Sequence, residues 1–193
     1  MYGLTNTYDI NMFRIEVNPT NIGVELETPF SLNPTRIGVS YNPTVWNLLS
    51  HIVDISLNNN ISLFKICNAA IAQNIEVADY IPGIWEVLFE RARPASVPLR
   101  RTECTFFFET KEDALKFKKS YQGMANGVLC EVEVIKEVVS AKCDMNWLDS
   151  INENIATAAE VIDAFKKYWN GEKTNRPIME VLFVGKYKLN PVK

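Results

Sequence analysis

A single histidine, His51, and four scattered cysteines are all the soft metal ligands that 193 residues offer. Cys67, Cys104, Cys130 and Cys143 form no CxxC pair, and one histidine cannot complete a Cys/His zinc site. Each cysteine sits among apolar residues, which reads as four buried thiols in a reducing compartment, a cytoplasm. Glycine-rich phosphate loops of the GxGxxG or GxxxxGK type are absent. No run approaches the ~18 apolar residues of a membrane span, and the N-terminus lacks the basic-then-apolar order of a signal peptide. The excess of one sign is small: 20 Lys and Arg against 23 Asp and Glu give −3, no global attraction for nucleic acid or an anionic membrane. What is present is ordinary globular material, 47% hydrophobic and 22% charged, which excludes a disordered chain.

Asn-Pro pairs at 18–19, 33–34 and 42–43 punctuate a first segment of short extended pieces, with Met12–Val17 as a strand and others near Val24–Leu26 and Ile37–Val39. From about 44 to 93 the apolar spacing turns helical, giving three predicted helices, read as an insertion or as helices covering the same core. Thr102–Glu109 is an aromatic strand. Thr110 starts a helix with Asp113 in a variant of the capping box, and Gly123 closes it. Gly127–Val134 alternates as a half-wet strand, and Trp147–Trp169 is one long amphipathic helix or two abutting ones. A last strand pair follows Pro177, with Gly185 at a bulge or bend. The order of elements is an α+β pattern in one domain.

Glu180 is the most informative residue. Period-two alternation places it in an apolar strand with Ile178, Leu182 and Val184, where an unpaired carboxylate costs several kcal/mol. Two readings stand: a strand-end glutamate facing water or a lysine, or a carboxylate kept for a ligand. Arg14, inside a short strand, either faces solvent or aims its fork at a phosphate or carboxylate. Arg100 and Arg101 precede the aromatic strand as cleft residues or as surface charges. Phe106, Phe107 and Phe108 are consecutive, so they cannot share one core; they imply a strand buried on both faces or a platform for a flat ring. Asp144 and Asp149 read as helix N-terminal charge. His51 reads as a packed helix residue, and Lys116, Lys118 and Lys119 as a solvated face.

Three separated pieces resemble the ADP-ribosyltransferase fold. CTFFFETKEDALKF is similar to its second motif, with Phe107 in the aromatic place and Ala114 and Phe117 on the helix that follows. Met179–Val184 resembles the third motif, a glutamate opening a late apolar strand, and Met12-Phe13-Arg14 the first motif of the arginine-type branch. The pieces FERARP, LCEVEV, DMNWLD and YWNGE also look like a group of uncharacterised bacterial and phage proteins associated with that fold, and the resemblance implies a toxin-like protein. The sequence departs from the family at the Ser-Thr-Ser motif, for which Thr102 or Thr105 is the nearest candidate, and at Ile178, where the family has a glutamate or glutamine. The resemblance implies a split, mainly antiparallel sheet with a helical elaboration at about 44–93. It implies NAD as substrate and no metal. Arg14, Phe107, Arg101 and Thr105 would hold NAD, Glu180 would be catalytic, and a protein, nucleic acid, small molecule or water would accept ADP-ribose. The alternatives are a catalytically inactive binding module of the same fold and a nucleic-acid binder working through Arg91, Arg93, Arg100 and Arg101.

Overall fold

In the computed structural model, residues 11–28, 42–73, 83–152 and 155–193 are described. The expected turn at 33–34 and strand at 37–39 lie outside them. Five strands form one sheet: β1 (Met12–Glu16), β2 (Glu25–Glu27), β3 (Thr105–Phe108), β4 (Val128–Asp144) and β5 (Met179–Pro191). Their order is β2-β5-β3-β1-β4, every named pairing is antiparallel, and β4 also pairs with β5, so the sheet closes into a small barrel. Among the described residues six α-helices accompany it: α1 (Pro43–Asn59), α2 (Leu63–Ala72), α3 (Ile84–Ala92), α4 (Lys111–Ser120), α5 (Asn146–Asp149) and α6 (Ala158–Trp169). The chain is therefore α+β with a mainly antiparallel sheet.

Local chemistry sets the boundaries. Asn42 caps α1 by accepting from the Thr44 and Val45 amides, with Pro43 at the first helical position, and Asn60 ends it in the left-handed region. Thr110 caps α4 through the Asp113 amide at 3.1 Å, as its motif predicts. The helix stops at Ser120, three residues before Gly123. A full capping box, Thr157 with Glu160, starts α6, so of the two readings of Trp147–Trp169 the structure has two helices, which do not abut. β4 runs ten residues past its predicted end at Val134, because it crosses two bulges and continues as the partner of β5. The expected terminal strand pair is a single strand, β5, bent rather than turned at Gly185. There φ is +154°, and a Cβ would sit 2.1 Å from the Lys136 carbonyl opposite the bulges.

Three apolar clusters divide the interior. The barrel holds Met12, Phe107, Cys130, Val132, Val181, Phe183, Tyr187 and Leu189. A larger cluster joins α1, α2, α3 and α6 to Cys143 and Leu182 on the outer face of the sheet. The helical stretch after residue 43 is thus part of a core shared with the sheet. A third cluster places α4 over Ile15, Phe108 and Met145. His51 corrects its expectation: it is exposed on α1, because the buried stripe runs through Leu49, Ile52, Val53 and Ser56.

Candidate functional site

Glu180 opens β5 between the two outer clusters. Its Cα partner on β3 is Phe108 and on β4 Cys143, and facing residues of antiparallel strands share a side. Phe106, Leu182 and Phe13 lie on that side too, while Phe107, Thr105, Val181 and Arg14 point to the barrel side. One-residue alternation therefore separates the expected site residues into two groups.

Glu180 is 5% exposed and keeps company with Arg101 and Tyr168. Arg101 belongs to a single 3-10 turn, Arg101–Glu103, that leads into β3. The turn directs its side chain inward to 6% exposure, whereas Arg100 beside it stays 58% exposed. Arg101 Nη1 donates to Glu180 Oε1 at 2.7 Å and to the Tyr168 hydroxyl, and that hydroxyl donates to the same Oε1 at 2.5 Å. The guanidinium lies between the rings of Phe89 and Phe106, at 4.3 and 4.5 Å from their centroids. Oε1 thus takes both bonds, and Oε2 takes none among the described residues.

Burial works against the Arg101 charge, but the Tyr168 hydroxyl, Glu180 and Glu86 outweigh it and raise the pKa, so the guanidinium stays protonated. Burial pushes the Tyr168 phenol well above its ordinary value, so it remains a donor. Burial also raises the thiols of Cys104 and Cys143, the latter to about 12, which leaves neither as a thiolate nucleophile near neutral pH.

Glu180, Arg101 and Phe106 border a cavity of about 680 Å³, within the range of small-molecule sites. Trp85, Phe89, Phe108, Phe117, Tyr121 and Phe165 line it as well, and Glu86, Asp149 and Arg14 contribute to the wall. Of the residues expected to hold a nucleotide, Arg101 and Arg14 touch this cavity with Glu180. Phe107 does not fit the platform role: it is fully buried inside the barrel against Phe183 and Tyr187, with ring centroids 5.4 and 5.1 Å away. Phe106, one residue earlier, is on the cavity side. Thr105 is buried on the barrel side and accepts from Arg14 Nη1 at 2.7 Å. The same guanidinium also bonds the Phe106 carbonyl and Glu16, so its fork is already engaged.

Of the four arginines from Arg91 to Arg101, Arg100 is 58% exposed, 3.9 Å from Glu90, and the others are engaged. Arg91 bonds Asp54 and the Ser50 carbonyl, Arg93 bonds Glu90 and the Val97 carbonyl, and Arg101 is buried. Asp149 lies in the first turn of α5, as expected of helix N-terminal charge, and Asp144 caps that helix's first amide but does more. Asp144 is fully buried and accepts from the amides of Asn146, Thr174 and Ile178 and from the Thr174 hydroxyl. Burial would raise its pKa, but the Thr174, Ile178 and Asn146 bonds prevail and lower it. It therefore staples β4 to the start of β5 and holds Glu180 at a fixed height.

Sequence reasoning missed Tyr168. A signal existed: Tyr168 stands three residues after Phe165 on the apolar face of α6, and a tyrosine in a buried stripe needs a partner for its hydroxyl. Among the described residues no group of three or more His, Cys, Asp or Glu could hold a metal ion, and no helix is long and apolar enough to cross a membrane.

The fold and site define an α+β protein with a small antiparallel barrel and an aromatic cavity bordered by the Arg101–Glu180 pair, with Tyr168 bonded behind it. The chain belongs to the family described as protein of unknown function DUF2441, whose model matches residues 43–191. That span contains Arg101, Tyr168 and Glu180 and leaves out Arg14 and β1. No curated protein matches the chain.

Proposed function

We propose that the protein is an NAD-dependent ADP-ribosyltransferase of the fold type its motifs resemble, working in the cytoplasm, with Glu180 as the catalytic carboxylate. The observation that carries this reading is the state of Glu180: a buried carboxylate at a cavity of about 680 Å³, with Oε1 held by Arg101 and Tyr168 and Oε2 accepting nothing among the described residues. The residues present suit such a substrate in part. Flat apolar walls, Phe106 in place of Phe107, would take a ring, and Oε2 would accept from a ribose hydroxyl. Arg14 and Arg101 are both engaged within the chain, so a diphosphate would have to compete for them.

Breaking a bond from ribose to nicotinamide builds positive charge on the sugar. A carboxylate fixed beside it stabilises that charge more than the ground state, as in glycoside hydrolases. Arg101 and Tyr168 position the carboxylate, and the ring walls exclude water.

The test is nicotinamide release from NAD, with cell extract supplied as acceptor. Glu180→Gln should keep the fold and lower release on the order of 100-fold. Wild-type protein that neither binds nor cleaves NAD sinks the reading. A second reading, an inactive nucleotide- or protein-binding module, is favoured by one feature: the Arg101 guanidinium already offsets the Glu180 charge at 2.7 Å. NAD binding that Glu180→Ala leaves unchanged would support it.

A further inference from the structure

The two oxygens of Glu180 are not equivalent. Oε1 accepts from Arg101 Nη1 at 2.7 Å and from the Tyr168 hydroxyl at 2.5 Å, while Oε2 accepts nothing among the described residues. Glu180 and Arg101 border the cavity and Tyr168 does not, so the bonds to Oε1 draw that oxygen back and leave Oε2 toward the cavity. At 5% exposure little water competes for it. Ring surface comes to the same cavity from two separate apolar clusters. Trp85 and Phe165, on α3 and α6, have centroids 6.1 Å apart. Phe108 and Phe117, on β3 and α4, have centroids 5.1 Å apart. All four border the cavity with Glu180. Such surface suits a flat ring, and a carboxylate oxygen beside it accepts hydrogen bonds but offers none. The polarity of that edge is set from behind. A guanidinium only donates, so the atom at the Oε1 position has to accept.

We propose that the cavity selects a neutral, flat aromatic ligand with an N–H at its edge, donated to Glu180 Oε2, over one of the same shape that offers an acceptor there. Arg101 already offsets the Glu180 charge at 2.7 Å, so the ligand need bring none. Arg101 also dictates the outcome of Glu180→Gln. The amide oxygen takes the Oε1 place to accept from the guanidinium, which leaves the amide NH2 where Oε2 was. That edge then donates where it had accepted. Recognition through this bond requires no covalent bond to break, so it stands separately from transferase activity.

The experiment is calorimetric titration of the full chain with indole and benzofuran, two neutral bicyclic rings of the same shape, one with an N–H where the other has a ring oxygen. Indole should bind the wild-type chain on the order of tenfold more tightly, the effect of one hydrogen bond to a charged group. Glu180→Gln, with its fold checked by circular dichroism, should abolish that preference or reverse it. Phe117→Leu removes one ring and should weaken both ligands by a similar factor, leaving their ratio near the wild-type value. Equal or tighter binding of benzofuran by wild type, no binding of either ring, or a ratio unchanged in folded Glu180→Gln would each overturn the assignment, as would affinities that Phe117→Leu leaves untouched. If Glu180→Gln does not fold, the wild-type comparison and Phe117→Leu decide. An indole preference without NAD cleavage keeps the selectivity and removes the transferase; NAD cleavage without that preference does the reverse.

Discussion

Replacing Arg101 by methionine tests the central cluster directly. The substitution keeps a long apolar stem between Phe89 and Phe106 but removes the charge 2.7 Å from Glu180 Oε1. Glu180 is then a carboxylate at 5% exposure with only Tyr168 to bond it. Removing one partner of a buried ion pair costs about 3–5 kcal/mol, because the other charge is left uncompensated. For a chain of this size each kcal/mol lowers Tm by roughly 2–4 °C, so a drop of about 6–20 °C is expected. The second half of the experiment separates charge from packing. With Glu180→Leu added, no charge is left stranded, and well-packed apolar replacements of a buried pair are often neutral or stabilising. The double variant should therefore recover most of the loss. The assay is urea denaturation followed by circular dichroism, with thermal melts as a check. If Arg101→Met lies within about 1 kcal/mol of wild type, or if the double variant is no better than the single, the cluster is not a coupled buried pair and the account given for Glu180 fails.

Other outcomes follow from single contacts. Asp144→Ala deprives three backbone amides of their acceptor and should cost about 3–5 kcal/mol in denaturant melts, since each buried unsatisfied group carries roughly 1–3 kcal/mol. The Asp144 carboxyl is depressed in the folded chain. Its contribution is therefore present above the ordinary carboxylate range and is lost as pH falls through the lowered folded value. Asp144→Asn should flatten that acid limb, and an unchanged limb would show that another group carries it. Gly185→Ala sets a Cβ 2.1 Å from the Lys136 carbonyl at φ +154° and should destabilise by about 2–4 kcal/mol, read from the urea midpoint.

The element types were legible where the side chains speak for themselves. Asn42-Pro43 and Thr110 cap helices by short-range bonds, and the alternation of Cys130, Val132 and Val134 against Glu131 and Glu133 declares a strand with one buried face. Glu180 stood out because a carboxylate in an apolar strand needs a partner. The partner was not legible. Arg100 and Arg101 are equivalent in sequence, and only the 3-10 turn before β3 sends one inward and leaves the other in water. The choice among Phe106, Phe107 and Phe108 was equally closed to pattern reading. Both faces of β3 are apolar, so which ring meets Glu180 depends on the pairing of Phe108 with Glu180 and Phe107 with Val181.

The sequence by itself determined the α+β class, the helix starts, the four buried thiols and the need of residue 180 for a partner, because caps, alternation and desolvation act over a few residues. Tertiary structure alone decided that Tyr168 and Arg101, 67 residues apart in the chain, share one oxygen of Glu180. It also decided that Phe107 and Thr105 lie across the sheet from that carboxylate. The physical reason is strand register: a shift of one residue moves every side chain to the other face, and the register of β3 and β5 is set by packing between distant segments rather than by neighbours in the chain.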